Sequence, residues 1–219
     1  MTTTYLYPNY RIIQYAKAPQ TGKVKTRLQP VLGEQGCLQL HCRLVEHCFQ
    51  RVHNAAVAPH RFSIAGSDDN FFQSIVTSSN IEYQQGADLG ERMQRTAEKA
   101  LASVKGVLII GSDCPFFDRN YLASACEALE QGNDCVLGPA NDGGYVLIGL
   151  RRVDAKLFCN MPWGTEQVLA LTRERLQALQ WRYRELPALA DIDRPDDLVH
   201  LSRVFPDWQP QGPLESSAL

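Results

Sequence analysis

Gly106-Val107-Leu108-Ile109-Ile110-Gly111-Ser112-Asp113-Cys114-Pro115 is the stretch that decides the fold. Residues 106–110 are short, uncharged and β-branched, as expected of a strand buried on both faces of a parallel sheet. An aspartate stands directly at the carboxyl end of that run, and a proline two residues on stops further pairing. Open α/β sheets bind ligands at that edge. A carboxylate there can hold a divalent cation, and the cation can hold phosphates. The alternative is that Asp113 only caps the next helix.

Outward from this strand the pattern alternates. Arg11–Ala16 reads as a first strand, followed by a basic loop to about Arg27. Leu38, Cys42, Val45, Phe49 and Val52 give a helix one apolar face. Arg61–Ala65 and Ile81–Gln84 read as strands, with a short helix opened by Asp68-Asp69 between them. Asp88 is placed to cap a helix whose stripe is Leu89, Met93, Ala97 and Leu101. After the central strand come a helix over 119–130, strands at 134–138 and 145–150, and a helix over 165–179. A strand at 182–186 and a proline-led helix over 195–204 complete the order. Strands alternating with helices mean βαβ units, so the expected fold is α/β, a three-layer α/β/α sandwich with a mostly parallel sheet. No internal repeat, low-complexity block or linker interrupts it. Residues 1–10 read as an extension, 11–205 as one domain and 206–219 as a loose tail.

The composition bounds the function. The 219 residues contain 44% apolar and 21% charged side chains, and the formal net charge is −2. Such a chain forms an ordinary globular domain with no general affinity for nucleic acid. Its longest apolar runs are too short to span a bilayer. The start, MTTTYLYPNY, has neither the basic nor the apolar part of a secretory signal. Seven cysteines, an odd number without CxxC spacing, suit reduced thiols and a cytoplasmic protein. Cys37 and His41 could share a zinc ion across one helical turn, but a lone pair is a weak motif.

Four segments are candidates for chemistry. Lys17-Ala18-Pro19-Gln20-Thr21-Gly22-Lys23-Val24-Lys25-Thr26-Arg27 follows the first strand and carries four cations. Lys17, Gly22, Lys25 and Arg27 suit phosphate binding, through charge and close backbone approach. The loop is neither a Walker loop nor a dinucleotide fingerprint. Gly86–Met93 offers Asp88, Gly90 and Arg92, where a glycine in the first helical turn admits a ligand or another backbone. Asp113 is the third candidate. In Gly138–Tyr145, paired glycines after an acid make a turn that leaves Asp142 free to act as a base or a substrate contact. Gly143, Gly144, Tyr145, Trp163 and Thr165 could line an acceptor pocket. Asp191 and Asp193, two apart in an extended segment, could complete a metal site begun by Asp113. Either could instead be structural, Asp193 as a helix cap.

KAPxxGxVKTRL, GxDLGxRM, GSDCP, GPANDGGY, WGT and DIDxPxDL occur here in that order. The set resembles a bacterial family of GT-A-like transferases labelled glycosyltransferases, some linked to arsenosugar biosynthesis. It is similar more widely to nucleotide-diphospho-sugar transferases, including the 2-phospholactate guanylyltransferases. The resemblance spans residues 11–202. It implies a GT-A-like nucleotide-binding fold and Mg²⁺ or Mn²⁺ at Asp113. The expected partners are a nucleotide sugar or nucleoside triphosphate and a small acceptor. Two departures stand out. Lys17-Ala18-Pro19 replaces the glycine-rich opening of nucleotidyltransferases, and Ser112-Asp113-Cys114 replaces the D-x-D of GT-A enzymes. The first counts against nucleotidyl transfer and the second against glycosyl transfer unless Asp191 or Asp193 supplies the second acid; glycosyl transfer is the leading expectation, with Asp113 and Asp142 catalytic. Nucleotidyl transfer with pyrophosphate release stands second, and a catalytically inactive nucleotide-binding protein third.

Overall fold

The computed structural model describes residues 3–66 and 69–208. Its strands are β1 (Tyr10–Lys17), β2 (His60–Ala65), β3 (Ile81–Tyr83), β4 (Gly106–Gly111), β5 (Cys135–Pro139), β6 (Tyr145–Leu150) and β7 (Tyr183–Glu185). Its helices are α1 (Gln29–Ala55), α2 (Asn70–Gln73), α3 (Leu89–Leu101), α4 (Arg119–Glu130), α5 (Val168–Ala178) and α6 (Leu201–Val204). The seven strands form one sheet in the order β3-β2-β1-β4-β6-β5-β7. All neighbours pair in parallel except β6, which runs antiparallel to both β4 and β5. The turn between β5 and β6 is too short for a parallel crossover, so the chain must reverse there.

The β-branched strands bury both faces. Ile12, Leu108 and Ile110 point to one side, where Cys48 and Val52 of α1 and Leu122, Cys126 and Leu129 of α4 cover them. Ile13, Val107 and Ile109 point to the other, against Met93 and Ala97 of α3 and Leu169 and Leu176 of α5. This is the expected three-layer α/β/α architecture. Each fully buried aliphatic side chain contributes about 1.5–3 kcal/mol relative to exposure.

Several local expectations shift. The α3 stripe does not step by four throughout. Gly90, Met93, Ala97 and Ala100 are buried, and Leu89 is 40% exposed. Four-residue steps drift around a helix of 3.6 residues per turn, whereas alternating three and four stay on one face. Helix α1 begins earlier than its apolar pattern and is broken at Gly33, which has φ 64°. The expected helix over 195–204 is a 3-10 turn at Pro195–His200 followed by the single turn of α6. Asp69 precedes α2, but its carboxylate accepts from Tyr83 Oη at 2.7 Å instead of capping the helix. Asp68 lies outside the described residues. At the termini, Tyr7 N donates to Val57 O at 2.7 Å, so the expected extension is tied to the loop between α1 and β2. Phe205 and Trp208 pack with Leu198 and Leu201 near the start of α1. The rest of the expected tail, from 209, lies outside the described residues.

This topology fixes where a ligand can sit. The path from β1 runs to one edge through β2 and β3, while β4 lies on the other side of β1. Strand order therefore switches between β1 and β4, and the crevice outside their carboxyl ends is where open α/β sheets take ligands. Reversal of β6 brings Tyr145 to the same rim, since Leu147 pairs with Ile110. Among the described residues, no helix is long and apolar enough to cross a membrane.

Candidate active site

The loop after β1 is fastened by a lysine. Lys25 takes a left-handed conformation, φ 49°, and its side chain is 2% exposed. Its ammonium lies 2.6 Å from Asp113 Oδ1 and donates to Ile192 O at 2.5 Å, with Asp193 Oδ1 3.7 Å away. A buried ammonium is tolerated only with such compensation. Arg27 adds a second clasp, 2.6 Å to Asp193 Oδ2 and 3.2 Å to Gly164 O. The backbone continues the pattern, because Ile192 N donates to Asp113 O at 3.0 Å. Four motifs distant in sequence thus meet at one hub. Burial acts to raise the Asp113 carboxyl, but the attraction and hydrogen bond of Lys25, helped by His41 and Lys17, bring it below its ordinary value. The Asp113 side chain is still 44% exposed, so the ion pair does not seal it.

A cleft of about 490 Å³ opens beside this hub, at the ends of β1 and β4. Lys17, Lys23, Lys25 and Arg27, all from the loop after β1, form one bank, and Asp142, from the turn before β6, and Asp191 line the same cleft. A second cleft of about 370 Å³ shares Lys17, Lys25 and Asp113 and extends to His41, Gln84 and Arg92. An outer chamber of about 460 Å³ shares Asp142 and Asp191.

Backbone turns build the acidic bank. Gly144 N donates to Asp142 Oδ1 at 3.0 Å, closing an Asx turn that leaves the other carboxylate oxygen for the cleft. Gly143 has φ 87°, and a Cβ there would lie 2.3 Å from Glu166 O, so no other residue fits. Its carbonyl accepts from Leu169 N at 2.9 Å, which ties the turn to α5. Asp191 is pushed up to about 6, first by burial and then by repulsion from Asp142, with Asp113 and Asp197 adding and its backbone hydrogen bond opposing.

The expected residues divide. Lys17, Lys25, Arg27, Asp113, Asp142, Gly144, Tyr145, Trp163, Thr165, Asp191 and Asp193 all line the main cleft. Arg92 lines the second cleft, its Nε held by Gly86 O at 3.1 Å. Gly22, Asp88, Gly90 and Gly143 line neither of these two clefts. Gly22 accepts from Gln29 Nε2 at 3.2 Å within its own loop. Asp88 caps α3 by accepting from Glu91 N at 2.8 Å. At Gly90 it is another backbone that comes close, for an added Cβ would lie 2.6 Å from Phe158 O and 3.0 Å from the Trp163 indole. Sequence reasoning weighed His41 only as a zinc ligand beside Cys37, whereas its Nε2 lies 2.9 Å from Lys17 O, and it passed over Tyr15, whose hydroxyl donates to Thr96 Oγ1 at 2.6 Å. It also read Leu89 and Met93 as core, although both line the cleft. Their position in the first turns after the Asp88 cap was the available signal.

Among the described residues, no three of His, Cys, Asp or Glu are arranged to hold a metal ion. The Cys37–His41 pair gains no third ligand, and all seven cysteines are free. Asp193 faces Arg27 and Lys25. Asp113 and Asp191 both line the main cleft, and a magnesium-like ion needs only one or two carboxylates, with substrate phosphates completing its shell. Burial raises Asp191 most, and a cation would relieve the smaller part due to repulsion, chiefly from Asp142.

The fold matches that of nucleotide-diphospho-sugar transferase structures. The structure superposes on one provisionally so named, from Desulfovibrio desulfuricans G20, with TM-score 0.81 and 31% identity over 90% of this chain and 87% of that one. A cytidylyltransferase from Leptospira borgpetersenii gives TM-score 0.56 and 14% identity over 93% of this chain and 89% of that one. The inositol-1-phosphate CTP transferase of T. maritima gives 0.55 and 12%, over 88% and 92%. These last two share the fold alone. Residues 48–165 match the model of the DUF2064 family, described as "Uncharacterized protein conserved in bacteria", and the chain belongs to that family. No curated protein matches the chain.

Proposed function

We propose that the protein transfers a glycosyl group from a nucleotide sugar to a small acceptor. One observation carries the reading: the cations after β1, the acid after β4 and Asp142 all line one cleft at the switch point. Two of the four loop cations, Lys25 and Arg27, are engaged by carboxylates. Lys17 and Lys23 have no ion pair among the described residues and line the cleft. Two free lysines suit a diphosphate better than a triphosphate, and the loop lacks the glycines that wrap one. The provisional name of the relative from D. desulfuricans supports the same class.

In the reaction, Lys17 and Lys23 hold the diphosphate and stabilise the charge it gains as the bond to the sugar breaks. The acceptor oxygen forms the new bond to the anomeric carbon, and Asp142 takes the hydroxyl proton through its free oxygen. Asp113, held by Lys25, fixes the edge of the site. Mg²⁺ or Mn²⁺, when bound, would be held by Asp113 and Asp191 and would supply further positive charge against the diphosphate.

Nucleotidyl transfer is the second reading, favoured by the second cleft, where Lys17 and Arg92 offer charge and the space extends toward His41 and Gln84, giving room for a longer polyphosphate. The two differ in product. Incubation with nucleotide sugars, nucleoside triphosphates and mixed acceptors is expected to release nucleoside diphosphate and no pyrophosphate. Pyrophosphate formed from triphosphates and lost in Asp113→Asn would replace the first reading with the second.

A further inference from the structure

We propose that the acceptor is a small molecule with an apolar or aromatic face whose remaining charge is zero or positive, and not a phosphate ester. This rests on the transferase reading of the same cleft and names the class of its second substrate.

The wall on which an acceptor would lie is made by Met93, Ile109, Tyr145, Ile148 and Trp163. Tyr145 and Trp163 meet edge to face, centroids 6.4 Å apart at 89°. A flat or apolar ligand gains from such a surface, and a hydrated dianion does not. Burial raises the Tyr145 hydroxyl far above neutrality, so it stays uncharged. The wall contributes no lysine or arginine. All four cations lining the main cleft belong to residues 17–27, on the donor side.

Charge points the same way at the exit. Asp142 and Asp191 pass from the main cleft into the outer chamber, where Glu166, Asp196 and Asp197 join them and Arg194 is the lining cation. None of these five acids has an ion pair among the described residues. Asp197 accepts backbone N–H groups of Asp193 and Arg194, which orients it without neutralising it. A phosphate carried by the acceptor would meet a field of its own sign. A neutral or ammonium-bearing tail would not, and like-charge juxtaposition is how sites refuse wrong partners.

Three probes share one phenol and differ only in the tail: tyramine (cationic), tyrosol (neutral) and tyrosol phosphate (anionic). Calorimetric titration of the full chain is run with pyrophosphate present, to occupy Lys17 and Lys23. Tyramine and tyrosol are expected to bind, and tyrosol phosphate about tenfold more weakly or not at all. Glu166→Lys combined with Asp196→Lys changes two exposed side chains and is expected to narrow or reverse that ranking. Equal or tighter binding of the phosphate by the unaltered protein overturns the proposal. So does the absence of tyramine binding at millimolar concentration, or a ranking the double variant leaves unmoved. A separate titration with nucleotide sugars tests the underlying reading. Its failure with the ranking intact would remove the donor and leave the ligand class standing.

Discussion

The two banks of the cleft are built in opposite ways. On the β1 side, side-chain charges meet side-chain charges: Lys25 with Asp113, Arg27 with Asp193. On the β6 side, Asp142 is held by a backbone turn, and it and Asp191 have no cationic partner among the described residues. Within the first bank these two pairs are complete before any ligand arrives, and Lys17 and Lys23 are left for the donor. The second holds charge that its occupant must answer. The paired hub should therefore resist changes of salt and pH, whereas the unpaired Lys17 and Lys23 and the acidic side should respond to salt.

The sharpest way to break this contrast is at Asp113. Asp113→Asn is expected to lower kcat/KM about 10³-fold, in the range seen when a preorganised electrostatic partner is removed. A small loss measured by steady-state kinetics would mean that the hub is only structural. Asp142→Asn should lower kcat about 10²-fold while leaving nucleotide affinity unchanged, as fits loss of a base. If KM for the donor moved instead, the assignment of the two banks would be inverted. Lys25→Met strips Asp113 and Asp193 of their buried counter-ion. Asp113 is partly exposed, which reduces the penalty to about 2 kcal/mol. For a domain of this size that is a fall in Tm of roughly 4–8 °C by calorimetry.

Asp191→Asn should do the reverse. The folded value near 6 lies above the ordinary 3.8, so the native state resists ionisation. Nothing is lost below the unfolded value, the deficit grows between the two, and it persists in full above the folded one. Discounted for the partial exposure of Asp191, the variant's gain in stability is about 2 kcal/mol at pH 7 and nothing at pH 3. Asp113 has the opposite sign. Its lowered value contributes stability above about pH 4 that is lost as pH falls through the folded value. Denaturant midpoints of Asp191→Asn and Asp113→Asn across pH 3–8 should diverge accordingly. The smallest effect belongs to Lys23→Ala, with nucleotide affinity weakened about fivefold and more so at low salt.

Much of this site was legible because it is local. The run from Val107 to Ile110, stopped by Gly111 and Pro115, carries its own strand and its own terminus, and Asp113 comes with it. The turn at 141–144 likewise declares itself through its glycines. What stayed hidden is pairing across long separations. Nothing near Lys25 says that its ammonium ends on Ile192, 167 positions away, so it reads as one phosphate-binding cation among four. Gly90 shows the limit of a single-residue signal. Absence of a side chain announces that something comes close, and only the fold says that it is Phe158 and the Trp163 ring. Asp88 misled in a similar way, since a cap and a ligand contact call for the same residue.

The reversed strand has a practical side. Because β6 starts at the cleft, Leu150 ends beside Val107, on the far rim with the exposed turn at 102–105. An affinity handle or fluorophore grafted into that turn would hang from the edge farthest from the chemistry, giving a reporter that leaves the mouth unobstructed.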